Sequence, residues 1–232
     1  MSCCAGCTVP CAVEDLVPVV LDEDLPAVPC HTGGIVPRHG DPVVVELNDG
    51  VYLGRVTLFE PPVLRRPSRG KAGRVLRIAG REDEERARSL AEQERAALSY
   101  LRRRVRELGL EMRPLKVRFT LEGRKAVVFF MAEGRVEYGG LVRDTARRYR
   151  RRIEMRHLGV RDGAKIVGGL GPCGRPLCCA GFMTRFHSVT VRMAKRQNLS
   201  LNPAKISGMC GRLMCCLAHE VDQYPEPRKR RG

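Results

Sequence analysis

The chain has 232 residues, 43% of them hydrophobic, and a formal net charge of +16, values typical of a globular protein with one or two domains. Its longest apolar run, residues 126–132, is far shorter than the ~18 residues that a membrane-spanning helix needs, so we expect no transmembrane segment. Low aromatic content and the absence of Trp argue against an extended base-stacking surface.

The charge is unevenly distributed along the chain. Residues 1–37 contain five acidic and no basic residues, so the rest of the chain carries +21. A basic body of this kind attracts polyanions such as nucleic acid, an acidic protein or anionic lipid, although surface solvation alone also explains many arginines.

Eleven cysteines is a high number for this length, and an odd number cannot all pair within the chain. The first residues lack the basic and then apolar layout of a secretory signal. We therefore expect a cytoplasmic protein, in which clustered cysteines are more often metal ligands or reactive thiols than disulfides.

The first part of the chain is predicted to contain a tail and a small β region. Residues 1–37 are interpreted as an acidic, flexible tail that carries Cys3, Cys4, Cys7 and Cys11. Residues 38–80 form the β region, in which Asn48-Asp49-Gly50 between two Val-rich runs predicts a hairpin. Residues 60–74 are a basic loop rich in Pro and Gly, and residues 75–78 are a possible short strand.

Residues 81–160 are predicted to form an α+β domain. Apolar residues at helical spacing predict a helix over residues 82–108, with acidic residues at its start and arginines near its end. Strands are predicted at 115–121 and 125–132, then a basic helix at 137–151 and a strand at 153–158. The fold class is therefore α+β: a β-hairpin region, a helix–strand–strand–helix–strand unit and a Cys-rich C-terminal metal-binding region.

Residues 161–222 contain a duplicated segment, and residues 223–232 form a basic tail. Residues 171–179 (the first arm) are Gly-Pro-Cys-Gly-Arg-Pro-Leu-Cys-Cys, and residues 208–216 (the second arm) are Gly-Met-Cys-Gly-Arg-Leu-Met-Cys-Cys. Such pairs of cysteines are typical of zinc sites and of iron–sulfur clusters. The candidate metal ligands are Cys173, Cys178, Cys179, Cys210, Cys215 and Cys216.

Other repeated residues fit a thiolate site. Gly174 and Gly211 allow a tight turn whose amides point at sulfur. Arg175 and Arg212 can offset the negative charge of the thiolates. Adjacent cysteines diverge on a strand or helix, so we expect one of each vicinal pair to serve a second centre, a partner's centre or packing.

Residues 153–220 resemble the bacterial YaaT family, also called RicT, which is linked to sporulation and competence. The similar stretches are residues 159–162, 168–175, 177–179, 193–195, 197–203 and 205–216. The resemblance implies a non-enzymatic protein that joins two small helical partners, YlbF and YmcA, in a complex carrying 4Fe–4S clusters and adjusting messenger-RNA processing by RNase Y. It also implies cluster ligation by Cys173, Cys178, Cys179, Cys210 and Cys215, with Cys216 completing the second arm.

Two functional hypotheses remain after this comparison, and an enzyme is disfavoured. The first is an iron–sulfur regulatory subunit that acts on RNA turnover through protein partners. The second is a zinc-stabilised nucleic-acid-binding module, in which His219 is the best substitute ligand. No recognisable catalytic partner spacing accompanies His157, His187 or His219. The candidate polyanion-binding residues are Arg147, Arg148, Arg150, Arg151 and Arg152.

Overall fold

The computed structural model describes residues 16–21, 27–57, 72–183 and 186–225. It divides into two compact units, Met1–Leu90 with Thr120–Glu122, and Ala91–Phe119 with Gly123–Gly232. The N-terminal cysteines at positions 3, 4, 7 and 11, most of the basic loop and residues 226–232 of the basic tail lie outside the described residues.

The first unit contains a closed barrel of five strands. The strands are β1 (Leu16–Val20), β2 (Val28–His31), β3 (Pro42–Leu47), β4 (Gly50–Val56) and β5 (Gly73–Ile78). Their order is β1-β2-β5-β3-β4, and β1 closes the barrel by pairing with β4. The predicted hairpin is confirmed, because β3 and β4 pair antiparallel around a turn at Asn48 and Asp49. The region is larger than predicted, however, and includes a parallel pair, β2 with β5.

The prediction of a tail without regular elements before residue 38 is wrong for β1 and β2. Both strands are short and carry a proline, Pro18 or Pro29, a residue that counts against a central strand when the sequence is judged locally. Val19 and Cys30 are fully buried with the valines of β3 in one apolar cluster. Burial raises the pKa of the Cys30 thiol to about 11, so this cysteine is a neutral core residue at physiological pH.

The second unit is built on a three-stranded sheet, and the α+β prediction is confirmed. Its elements begin with α1 (Arg81–Glu107), which the division between the units cuts at Leu90, followed by β6 (Met112–Phe119), β7 (Lys125–Ala132), α2 (Gly139–Tyr149) and β8 (Arg152–His157). β6 and β7 form the expected antiparallel hairpin, whereas β8 lies parallel to β7. α2 supplies the crossover that a parallel pair requires.

Short helices follow the sheet. They are α3 (Val160–Val167), α4 (Val191–Arg196), α5 (Pro203–Ile206) and α6 (Cys216–His219), with a final 3₁₀ turn at Val221–Gln223. α3 packs closely on the sheet at Gly163, where an added Cβ would lie 1.9 Å from the Met131 sulfur. Ala194, Ile206 and Leu217 form a small separate core. Within the described part of the chain, the helices are all too short or too polar to cross a bilayer.

Candidate metal centre

The two arms fold into the same backbone turn. In the first arm the amide of Gly171 donates to the carbonyl of Arg175 at 2.8 Å, and in the second the amide of Gly208 donates to the carbonyl of Arg212 at 2.8 Å. An isolated antiparallel bridge closes each turn at its ends. The repeat in the sequence is therefore also a repeat in the structure.

The repeated glycines occupy left-handed backbone positions. Gly174 has φ +74° and Gly211 has φ +75°, a region that side chains with a Cβ rarely adopt. Their amides donate to Gly171 at 3.0 Å and to Gly208 at 2.9 Å. The tight turn predicted at these glycines is thus confirmed, but their own amides donate to backbone carbonyls rather than to sulfur.

All six cysteines of the arms line one cavity in the second unit, with a volume of about 730 Å³. Cys179 is buried and Cys173 is exposed, while the other four are half-buried. The lining also includes apolar side chains from both arms, such as Leu177 and Met214. The fold therefore brings together two segments that are 37 residues apart in sequence.

Thiols of the two arms influence one another electrostatically. Burial raises the pKa of Cys179, and Cys210 of the other arm adds to that rise. Burial likewise raises the pKa of Cys215, with a further contribution from Cys178. The pKa of Cys216 rises to about 11, through burial first and then through Glu220 and neighbouring cysteines. These thiols are protonated at neutral pH unless a metal ion binds the sulfur and displaces the proton.

The six thiols surround the cavity without meeting at one point. Among the described residues, no three Cys, His, Asp or Glu side chains are already arranged to hold a single metal ion. Both members of each vicinal pair line the same cavity, so the separate role expected for one member of each pair stays a prediction. Cys178 and Cys179 lie in a turn, and Cys215 precedes α6 while Cys216 begins it, so strand alternation does not separate them.

The cations around the cavity differ from those that the repeat predicts. Arg175 lines the cavity, whereas Arg212 is exposed and is not part of its lining. Arg161, in the first turn of α3, lines the cavity and lowers the pKa of Cys215 against the effect of burial. Its guanidinium lies 4.5 Å from the centroid of the Phe186 ring, which orients it. Arg161 lies outside the repeat, so the cysteine motif gave no signal for it.

The predicted substitute ligand His219 is placed beside the cavity rather than in its lining. Its ring lies 5.3 Å from the ring of Phe182, and Phe182 itself lines the cavity. His219 is exposed. This position gives no support to a zinc site that uses His219 as a ligand.

The predicted polyanion-binding arginines at the end of α2 have different environments. Arg148 lies over the Tyr100 ring at 4.9 Å. Arg151 lies over the Phe119 ring at 3.9 Å and donates to Gln93 at 2.9 Å. Arg147, Arg150 and Arg152 are exposed.

Comparisons with known proteins give matches to two family models and to a named relative. Residues 73–158 match the PSP1 C-terminal conserved region, and residues 188–231 match the third domain of PSP1-like proteins. The chain is 42% identical over 187 residues to the stage 0 sporulation protein YaaT of Bacillus subtilis (strain 168), an alignment that covers 81% of this chain and 68% of that protein. No solved structure matches the chain. The extent and identity of the alignment show that this chain belongs to the YaaT family.

Proposed function

We propose that the two arms bind a 4Fe–4S cluster. The single observation that carries this proposal is the lining of one cavity by all six cysteines of the duplicated segment. Thiolates are the usual protein ligands of such clusters. A bound cluster supplies a redox-active centre that is sensitive to oxidants, and the protein's residues set its exposure and charge.

The alternative is a single zinc ion, which needs four ligands within about 2.3 Å of one atom. Among the described residues, no three Cys, His, Asp or Glu side chains are arranged to hold a single ion. A cluster distributes its ligands over several iron atoms, and for this reason we favour it for the thiols that line the cavity.

Residues of the chain would perform three tasks at this centre. The cysteines would supply the thiolates, and the turns at Gly174 and Gly211 would hold them in position. Arg161 and Arg175 would offset the negative charge of the ligands, which favours deprotonation of the thiols. Leu177, one of the apolar lining residues, would limit access of water.

We further propose that the protein is a non-enzymatic, cytoplasmic regulatory subunit. Its partners would be small helical proteins of the YlbF and YmcA type, and the assembly would modulate RNase Y-dependent messenger-RNA processing and development. The name of the relative, a sporulation protein, supports the developmental role. Two cavity-lining side chains, Phe182 and Met209, are 65% and 66% exposed, and such apolar exposure suits a protein contact.

Anaerobic purification followed by metal analysis tests the cluster. We expect a brown protein that contains iron and acid-labile sulfide and loses its colour in air. Cys215→Ser should lose most of the iron, because it removes a thiolate from the cavity. Cys30→Ala is the matched control, since Cys30 lies in the barrel core, and it should keep the iron. A colourless protein with stoichiometric zinc would contradict the assignment.

A further inference from the structure

A second basic site lies between α1 and α2 and shares no lining residue with the cysteine cavity. Its groove is lined by Tyr100 and Arg104 from α1, and by Asp144, Arg147 and Arg148 from α2. Each helix contributes residues three or four positions apart, which places them on one helical face. Two facing helices therefore build a broad, open groove of about 530 Å³.

Tyr100 organises the arginines of this groove. The guanidinium carbon of Arg148 lies 4.9 Å from the centroid of the Tyr100 ring, and that of Arg103 lies 5.6 Å from it. Tyr149 packs edge-on against Tyr100 with their centroids 5.9 Å apart. Cation–π contact reduces the freedom of the long arginine side chains, so less conformational entropy is lost when they bind a ligand.

Acidic residues neutralise only part of this charge. Arg104 links the two helices by an ion pair with Asp144, and it also bonds Glu107 at 2.5 Å. Arg103 lies 3.6 Å from the same Glu107. The four arginines of the groove and its rim thus face two carboxylates, and a net positive charge remains on Arg147 and Arg148.

We propose that this groove binds the phosphodiester backbone of a single nucleic-acid strand. Guanidinium groups match phosphate oxygens in geometry and charge. The groove is open to solvent, so a strand can pass across it. The large apolar side chains that would insert into a membrane are not among the groove residues. The site would contact the phosphates of the nucleic acid rather than its bases or sugars, so we expect little preference between RNA and DNA.

Fluorescence anisotropy with a labelled single-stranded 20-nucleotide RNA and the same DNA sequence tests the proposal on the full chain. We expect the wild type to bind both probes at 50 mM salt. Arg147→Gln with Arg148→Gln should weaken binding about tenfold or more. The plot of log K against log salt should also become less steep, its negative slope shrinking in magnitude by roughly 1.4, or about 0.7 for each lost phosphate contact. Circular dichroism should show unchanged folding.

The matched control removes the same charge elsewhere. Arg88 and Arg135 are exposed and lie near Glu84 and Glu137, so Arg88→Gln with Arg135→Gln should leave both the affinity and the salt slope near wild type. Equal losses in the two double variants would overturn the proposal, as they would indicate non-specific attraction to net charge. It would also be overturned if the wild type bound neither probe, or bound only phosphatidylglycerol vesicles. None of these outcomes depends on whether a cluster is present.

Discussion

Arg161 connects the candidate centre to a part of the chain outside the cysteine repeat. It belongs to α3, and Phe186 holds its guanidinium beside the cavity. Burial raises the pKa of the Cys215 thiol, while Arg161 opposes that rise. A cation in this position stabilises the thiolate and any cluster that the thiolate binds.

Arg161→Gln tests this role at the scale of one residue. Loss of a positive charge near a cluster should make its reduction harder, and we expect the midpoint potential to fall by on the order of 50 mV, with the effective dielectric constant near 20. Anaerobic redox titration measures the shift. The matched variant Arg212→Gln changes an exposed arginine of the repeat that does not line the cavity, and its potential should stay within about 10 mV of wild type. Equal shifts in the two variants would contradict the role of Arg161.

At the scale of the element, each arm is the repeated structural feature. Each arm is a closed turn whose geometry depends on a glycine with positive φ. The hydrogen bonds that Gly171 and Gly174 donate agree with those of Gly208 and Gly211 to within 0.1 Å. Nothing lies within 4 Å of a Cβ built on Gly174 or Gly211. The requirement for glycine at these positions is therefore conformational rather than steric.

Gly174→Ala and Gly211→Ala should each destabilise the protein by about 1–2 kcal/mol, the cost of placing a Cβ in the left-handed region. The two effects should be similar because the two turns are alike. Chemical denaturation followed by circular dichroism measures them. Gly134→Ala is the control, since Gly134 also has open space around it but no positive φ, and it should be neutral or slightly stabilising. A marked difference between Gly174→Ala and Gly211→Ala would refute the equivalence of the arms.

For the whole molecule, the segment that carries the second arm has a much smaller core than the barrel. The barrel has its own cluster of buried valines with Cys30 and Tyr52. The C-terminal part of the second unit has a small core of Ala194, Ile206 and Leu217. So little buried apolar surface gives this part of the chain limited stability. A metal centre that joins the arms would add to its free energy of folding.

Removal of the proposed metal centre should therefore loosen the arms and leave the barrel intact. Hydrogen exchange before and after anaerobic chelation measures this difference. We expect the amides of Gly171 and Gly208 to exchange at least about tenfold faster, equivalent to about 1.4 kcal/mol, once the metal is lost. The amides of Val43 and Val45 in β3 serve as the internal control and should not change. Unchanged protection of the arms would show that their turns are stable without metal.

The periodic elements and the repeat were predictable from the sequence because their signals are local. The observed bounds of α1 lie within one residue of the prediction, since its apolar stripe and charged ends are encoded in consecutive turns. The hairpins β3–β4 and β6–β7 followed from turn residues and alternation. The twin glycine turns followed from a motif repeated at a fixed offset.

Only the tertiary structure decided which distant segments meet. β1 and β2 are short, contain proline and pair with each other, and only β4 and β5, more than thirty residues later, close them into a barrel. In the same way, the packing of the second unit directs the thiols of both arms into one cavity and brings Arg161 beside Cys215. Local propensity determines turns and helices, whereas barrel closure and the grouping of the thiols depend on burial and long-range pairing, which no short stretch of sequence specifies.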